Sequence, residues 1–522
     1  MTLFALLLAL AAAAFGLARL LHLPAIPLLV LGGFGLRILT EQIDWSLPPD
    51  LLRGLIEVGL AVLVFSAGSE LSPRRMRGRT RSIFIVALTQ FLSLGLAGLL
   101  VARLLGYDWI TAGYIGSALS ASSTLVVVRL MQQRQQMFEP YGRLLLGVLL
   151  IQDVLIILLL VALINAPDGW LAVLRGIGAS TALGLLSWLI HRYAMPVICA
   201  QVKLDDEELM LGSLALLFSF GALAWVLDVN FLVGAFCAGF ALSAFPINGL
   251  VRGLLGSLSG FFLALFFICI GFVLTVPGWE ALSHGLLLTA VLILVTVVLV
   301  TMVAEATGYS TRASIESALL LSQTSEFSLL IALAGLYQGQ ITTELFSLIA
   351  LVTIATMTLT PFIAREKVVR KLMTWHPRYN RGEKKVAEMS GHVVLLGYGR
   401  SGARMLDALE REKVPLVVID EDAVLIRKLA ARGVPCVQGD GADAATLKRA
   451  NVEKARAVLV LLRHNRDSRF VMEYLSGRKV RVFVRTMEPR EAWEIEVLGG
   501  TPIRADEAAA DQFMKWLRLN TP

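Results

Sequence analysis

Residues 149–160 read LLIQDVLIILLL, an apolar run broken only by Gln152 and Asp153. A carboxylate near the centre of a bilayer costs roughly 2.5–3.5 kcal/mol even on insertion scales, so an acid kept there marks a pathway or a relay. Two further polar clusters fall inside apolar runs. One is GSALSASSTLVVV, with Ser117, Ser120, Ser122, Ser123 and Thr124; the other is LLLSQTSEFSLL, with Ser322, Gln323, Thr324, Ser325 and Glu326. A lone serine in a membrane helix packs or hydrogen-bonds across helices. Several hydroxyl residues in a few positions compete for the backbone and favour local unwinding. An unwound segment frees carbonyls that can replace water around a cation, and it is tolerated only where it lines a cavity or is buried in protein. A carboxyl in such surroundings is pushed toward its protonated form. One acid that cannot hold a proton and a cation together makes the two compete, which is the coupling an exchanger needs. Asp153 is thus the candidate ion-binding acid, holding K+ or Na+. Gln152, Ser122, Ser123 and Thr124 stand beside it, and Ser325 and Glu326 belong to the second cluster. Glu326 has a second reading, as a structural acid that satisfies the ends of broken helices.

The elements that must position these residues follow from composition. The chain has 522 residues, 56% hydrophobic and 17% charged, with a mean hydropathy of +0.72; most of it belongs in a membrane. Runs of about 17–25 apolar residues, the length that crosses a bilayer, fill residues 1–364. We expect thirteen spans, beginning near residues 2, 25, 51, 82, 110, 142, 170, 208, 230, 254, 281, 313 and 343. The polar clusters then fall in spans five and twelve, comparable places in two halves. That is the pattern of inverted repeats with two broken helices crossing at the midplane. Alternate loops carry the orientation signal. TEQIDWSLPPD, GYDW, NAPDGW, LDVN, TVPGWEALSHG and YQGQITTE hold no Lys or Arg, whereas SPRRMRGRTR, MQQRQQMFEPYGR, HRYAMPVICAQVK and GYSTR are all basic. By the positive-inside rule the N-terminus is outside and the C-terminal part cytoplasmic. The net charge of +7 sits largely in these loops and in a basic linker over 365–390, so it does not indicate a nucleic-acid partner. Cys199, Cys237, Cys269 and Cys436 show no pairing or metal-ligand spacing and read as packing residues.

From residue 391 to 522 the chain reads as an α/β domain. HVVLLGYGRSGARMLDALE is a strand, then Gly397-x-Gly399-x-x-Gly402, then a helix. The next strand, PLVVID, ends in Asp420, at the spacing of a ribose-binding acid. Glycines let the backbone approach a phosphate, and the helix N-terminus adds a favourable dipole. PCVQGD, RAVLVLL, VRVFVRT and TPIRAD continue the strand–helix alternation to six strands. Asp420 favours an unphosphorylated ribose, hence NAD(H), AMP or another adenine nucleotide such as ATP or ADP. His392 and His464 stand alone and read as packing or surface residues.

The segments IEVGLAVLVFSAGSEL, ALSASSTLVVVRLM, LIQDV, LVGAFCAGFALS, FFLALFFICIGFVL and GYSTRASIESALLLSQTSEFSLL resemble, in order, the landmarks of Kef-type members of the monovalent cation:proton antiporter-2 family. The C-terminal domain, with VQGDGADAATLKRA and Asp440 after the third strand, resembles the RCK or TrkA-N nucleotide-binding domain of potassium transporters and channels. The resemblance implies a homodimer in the bacterial inner membrane, with a dimerisation part and a mobile core moving as an elevator. It implies that Asp153 alternates between proton and cation, that Gln152 is its polar partner, and that Ser123 and Thr124 are the broken-helix positions beside it. Arg400 and Ser401 match positions that touch phosphate. Membrane lipids and an ancillary regulatory subunit enter as candidate partners. Two departures matter. Relatives that move net charge carry a second acid or Asn before the aspartate and a basic residue in the eleventh span. Here the pair is Gln-Asp, and by register Thr296 takes the basic position; both favour electroneutral 1:1 exchange. The loop FPINGLVRGLLGS lacks the acidic, His-containing pattern of glutathione-gated relatives, so that gating is not carried over.

The expected function is K+/H+ exchange gated by an adenine nucleotide, and not an enzyme activity. The residues leave Na+ or a broad cation range open, since carbonyls and hydroxyls coordinate either ion. A nucleotide-gated potassium channel or uptake system would need a carbonyl-lined filter repeat, which the sequence lacks. A membrane-anchored oxidoreductase would need a catalytic domain after the Rossmann unit.

Overall fold

The structure is a computed structural model that describes residues 2–21, 23–42, 49–71, 80–133, 140–197, 206–243, 247–309, 311–375, 389–462 and 465–504, with three isolated positions beyond. The chain divides into two compact units, Met1–Thr307 with Glu316–Arg365, and Gly308–Ile315 with Glu366–Pro522.

The first unit is all helix: α1 (Thr2–Leu21), α2 (Ala25–Gln42), α3 (Pro49–Glu70), α4 (Thr80–Leu104), α5 (Trp109–Leu119), α6 (Thr124–Gln133), α7 (Pro140–Asn165), α8 (Trp170–Leu189), α9 (Asp206–Val226), α10 (Phe231–Ala241), α11 (Ile247–Val273), α12 (Trp279–Ala306), α13 (Thr311–Leu321, of which the residues up to Ile315 belong to the second unit), α14 (Phe327–Tyr337) and α15 (Thr343–Ile363). Eight helical runs are long and apolar enough to cross a membrane, and five shorter apolar helices accompany them among the described residues. The expected ninth span is one of the short ones. Its helix, α10, covers 11 residues, about 16 Å at the helical rise, and it packs closely on α3.

Small residues set the packing around the functional region. α4 lies against α5, α7 and α12. A Cβ on Gly98 would come within 2.9 Å of Gly116 Cα, and one on Gly116 would collide with the Gly95 carbonyl. This close approach is the small-residue contact by which membrane helices gain van der Waals energy. It brings α4 alongside the C-terminal end of α5.

Both expected breaks are present, Ser120–Ser123 between α5 and α6 and Ser322–Glu326 between α13 and α14. They are built alike. Ser120 Oγ donates back to Ser117 O at 2.7 Å, and Ser322 Oγ to Leu319 O at 2.7 Å, closing the first half-helix. Ser123 Oγ then accepts from Val126 N at 3.3 Å, and Ser325 Oγ from Phe327 N at 3.2 Å, starting the second. Hydroxyls thus take over backbone groups that a continuous helix would satisfy itself.

In the second unit, helix α16 (Glu366–Trp375) forms the start of the expected basic linker; residues 376–388 lie outside the described residues. Then follow β1 (Val393–Leu396), α17 (Gly399–Arg411), β2 (Leu416–Asp420), α18 (Ala423–Ala431), β3 (Cys436–Gln438), α19 (Ala444–Arg449), β4 (Ala457–Val460), α20 (Asn465–Leu475), β5 (Arg481–Thr486), α21 (Pro489–Val497) and β6 (Thr501–Arg504). All six strands are parallel, in the order β3-β2-β1-β4-β5-β6. Near-continuous Val, Leu and Ile in the central strands reflect burial on both faces. Val394, Leu396 and Val458 enter one core, and Leu395, Val418 and Leu459 enter the other. His392 is a packing residue, fully buried with Nε2 3.1 Å from Ala450 O; burial holds its imidazole below the usual value. His464 and Cys199 lie outside the described residues, while Cys237, Cys269 and Cys436 are buried free thiols.

Candidate functional site

Gln152 and Asp153 sit midway along α7, and neither has any exposed surface. Thr124, the first residue of α6, donates its hydroxyl to Asp153 Oδ2 at 3.1 Å. Ser122 N donates to Gln152 Oε1 at 3.1 Å, so the amide before the acid takes up a backbone N–H released by the first break. In the second break the corresponding N–H, that of Thr324, is taken by Thr356 Oγ1 on α15 at 3.2 Å. The two breaks also meet. Ser122 Oγ donates to Leu321 O at 2.8 Å, and Ser328 Oγ makes a short hydrogen bond to Ala118 O.

Glu326 comes from the second break but faces the first as well. The Glu326 carboxylate faces the Ser123 hydroxyl and the Leu125 N–H, at the start of α6. An acid there complements the positive end of a half-helix. Ser325 caps α14 and makes no contact with Asp153 that the structure records. The structure therefore brings Gln152, Asp153, Ser122, Ser123, Thr124 and Glu326 into one network and leaves Ser325 at its edge. Thr296, the position matched to a basic residue in relatives, is fully buried.

Several buried polar atoms of this network lack a hydrogen-bond partner among the described residues: Asp153 Oδ1, Glu326 Oε2, Gln323 Oε1, Gln90 Oε1 and Gln152 Nε2. Native interiors leave few such atoms without a reason, an ion or water being a common one. Four of the five are oxygens, the donor type suited to a hard cation.

Two residues of this neighbourhood are missed by sequence reasoning. Gln90 on α4 donates from Nε2 to Ser122 Oγ at 3.0 Å and to Leu321 O at 3.4 Å. Glu70, at the end of α3, acts electrostatically on both Asp153 and Glu326. Gln90 is one amide in an apolar run, and Glu70 sits where a span ends, so neither stands out by type or spacing.

In the second unit the glycine loop, Asp420 and Asp440 gather at the carboxyl ends of β1, β2 and β3, next to the point where strand order reverses between β1 and β4. Gly397 has φ +87°, and a Cβ on Gly402 would lie 2.6 Å from Gly397 O, so both positions demand glycine. Asp420 Oδ2 accepts from Tyr398 N at 2.7 Å and Oδ1 from Asp422 N at 2.8 Å. The acid thereby fixes the loop from the end of β2, the place expected of a ribose-binding acid. Asp440 is tied down by Ala442 N on Oδ1 at 2.8 Å and by Arg312 Nη1 on Oδ2 at 3.2 Å; Arg312 also pairs with Glu366 at 2.9 Å. Ser401, near the start of α17, accepts from Arg485 of β5 at 3.0 Å. Arg485 is a further cation at this end of the sheet, concealed in the sequence by its place within a strand. The side chain of Arg400 lies outside the described ones. Backbone N–H groups at a helix start, a tight glycine turn and an acid at the end of β2 fit a nucleotide carrying phosphate and an unsubstituted ribose.

Comparison with known proteins bears on both units. YbaL of Escherichia coli (strain K12), whose name describes a cation/proton antiporter, is 27% identical over 443 residues, covering 80% of this chain and 78% of the relative. The glutathione-regulated potassium-efflux system protein KefC of Salmonella schwarzengrund (strain CVM19633) is 28% identical over 451 residues, covering 82% and 69%. Among solved structures, the sodium proton antiporter MjNhaP1 of Methanocaldococcus jannaschii matches with a TM-score of 0.49 and 15% identity, over 70% of this chain and 97% of that one. The TrkA-N domain model matches residues 393–508. The transmembrane sodium/hydrogen exchanger model matches residues 4–366, well over half of the 522 residues, and the chain belongs to that family.

Proposed function

We propose that the chain exchanges a monovalent cation for a proton across a membrane, with Asp153 as the group that holds one or the other. The observation that carries this reading is a fully buried carboxylate hydrogen-bonded on one oxygen by Thr124 and, among the described residues, unpartnered on the other, beside an unwound segment. A bare charge at that depth is unstable. Protonation removes it, and a cation with hydroxyl and carbonyl oxygens around it compensates it. Alternation between these two neutral states couples the fluxes. Gln152 before the acid and Thr296 in α12 add no second charge, so the exchange is electroneutral, one proton for one cation. K+ is the favoured cation, since KefC relatives are named for potassium efflux; Na+ is the second reading, favoured by the family model's own name. Transport proceeds by an elevator movement within a homodimer in the inner membrane, with the C-terminal unit on the cytoplasmic side. An adenine nucleotide held by the glycine loop, Ser401 and Asp420 gates it.

The test is proton–cation exchange in proteoliposomes with an internal pH dye, offering K+, Na+, Rb+ and Li+ with and without AMP, ADP, ATP and NAD(H). Asp153→Asn is expected to abolish exchange of every cation while the protein still inserts. Normal cation-dependent pH recovery by that variant overturns the mechanism, and the cation series decides between K+ and Na+.

A further inference from the structure

The two breaks are held together by a side chain from outside both of them. Gln90 lies on α4, has no exposed surface, and spends both N–H groups of its amide on the crossing point: one on Ser122 Oγ at 3.0 Å and one on Leu321 O at 3.4 Å. A backbone carbonyl can only accept, so the amide nitrogen must face Leu321, and the orientation of the amide is fixed by the network. Ser122 is in turn fully committed. It accepts from Gln90, donates its hydroxyl to Leu321 O at 2.8 Å, and donates its N–H to Gln152 Oε1 at 3.1 Å. A continuous relay thus runs from Gln90 through Ser122 to Gln152, the residue that precedes the ion-binding acid. The free end of the relay is Gln90 Oε1, buried and without a partner among the described residues. The small-residue contact between α4 and α5 at Gly98 and Gly116, two turns further along α4, allows so short a reach.

From this arrangement we propose that Gln90 is a positioning residue for the cation site: it locks the Ser122 break to the Leu321 carbonyl and, through Ser122, sets Gln152 beside Asp153. The inference rests on the exchange reading given above. Without the lock, the Leu321 carbonyl keeps only the Ser122 hydroxyl, and the Ser122 N–H that orients Gln152 belongs to a loosened loop. The oxygens around the cation are then held less closely, which weakens cation binding. Gln90 carries no titrating group, so the proton side of the exchange is untouched.

The test compares Gln90→Met, which keeps length and volume but has no donor, and Gln90→Leu, which is apolar and lacks one as well. Both are assayed in proteoliposomes beside the native chain for the KM of the transported cation and for the pH of half-maximal exchange at saturating cation. Loss of two buried hydrogen bonds predicts a KM raised about tenfold in Gln90→Met, with the pH midpoint unmoved. A purely structural role would lower the amount of inserted, active protein while leaving the KM of that protein unchanged. Because Gln90 works through Ser122, Ser122→Ala and Gln90→Met together are expected to cost less than the product of the two single effects. A KM within twofold of native in the glutamine variants, or strict additivity with Ser122→Ala, overturns the assignment while the native chain's exchange stands. Absence of exchange by the native chain, with every cation offered, removes the exchange reading itself and this role with it.

Discussion

At the scale of single residues, Asp153 and Glu326 of the membrane unit are both buried but have different surroundings, from which different roles are expected. Asp153 has one hydroxyl on one oxygen. Glu326 has the Ser123 hydroxyl and the Leu125 N–H, and it stands at the head of α6. A capping acid can be replaced by its amide with partial retention of the bonds, because the amide oxygen still accepts. Glu326→Gln is therefore expected to slow exchange by less than about tenfold, the scale of a lost helix-end charge interaction, where Asp153→Asn abolishes it. Rates of both variants measured side by side, normalised to inserted protein, check the division; equal loss in the two would make Glu326 a second carrier of the ion. Asp153 stands out in the sequence because so apolar a run keeps an acid only against a large insertion cost, which a use for the charge must offset. For Glu326 the sequence offers two readings, since capping depends on which helix end lies across from it. Gln90 was not legible at all. A single amide in a membrane span is ordinary as interhelical glue, and its position at the crossing point comes from the packing of α4, which no local pattern encodes.

Among the elements, the half-helices are the part that local chemistry specified best. Ser120 and Ser322 fold back on the preceding turn, and Ser123 and Ser325 start the next, so two stretches 202 positions apart repeat one bonding scheme. Clustered hydroxyls announced the unwinding, but not its partners: Gln152 takes the released N–H in one break and Thr356 in the other. The shortness of α10 was hidden for the opposite reason. LVGAFCAGFALS is apolar throughout, and hydropathy alone does not show where such a helix stops. The repeat is not energetically equal. Ser123 also faces Glu326, whereas the Ser325 hydroxyl has Phe327 N as its partner among the described residues. Replacing a helix-starting serine by alanine costs about 1 kcal/mol, with about 2 at the upper end. Ser325→Ala is expected near the lower figure and Ser123→Ala near the upper, read as the shift in thermal unfolding of the membrane unit in detergent. Equal shifts would mean that the approach of Glu326 to Ser123 adds nothing.

For the molecule as a whole, two compact units on one chain make ligand effects separable, because a ligand stabilises the unit that binds it. The doubly wound sheet was readable strand by strand from its apolar runs, and the glycine spacing placed the loop. What the letters could not convey is that Asp420 holds the loop itself through Tyr398 N, or that Arg485 reaches Ser401 from the far side of β4. Those contacts belong to the folded sheet, where β1, β4 and β5 lie side by side. They also sharpen the choice of variant. Changing Asp420 would confound ribose recognition with collapse of the loop, whereas Gly402→Ala acts on the loop turn alone, since its Cβ would lie 2.6 Å from Gly397 O. At a nucleotide concentration about a hundredfold above Kd, a bound nucleotide is expected to stabilise the native C-terminal unit by about 2.7 kcal/mol. Its unfolding transition in the full-length protein should move upward with AMP, ADP, ATP or NAD(H), while that of the membrane unit stays in place. Gly402→Ala is expected to remove the shift and to leave Asp153-dependent exchange intact in the absence of nucleotide. Because the loop closes on backbone atoms, no repacking of side chains can relieve that substitution. A shift that persists in Gly402→Ala would place the nucleotide away from the carboxyl ends of β1 and β2.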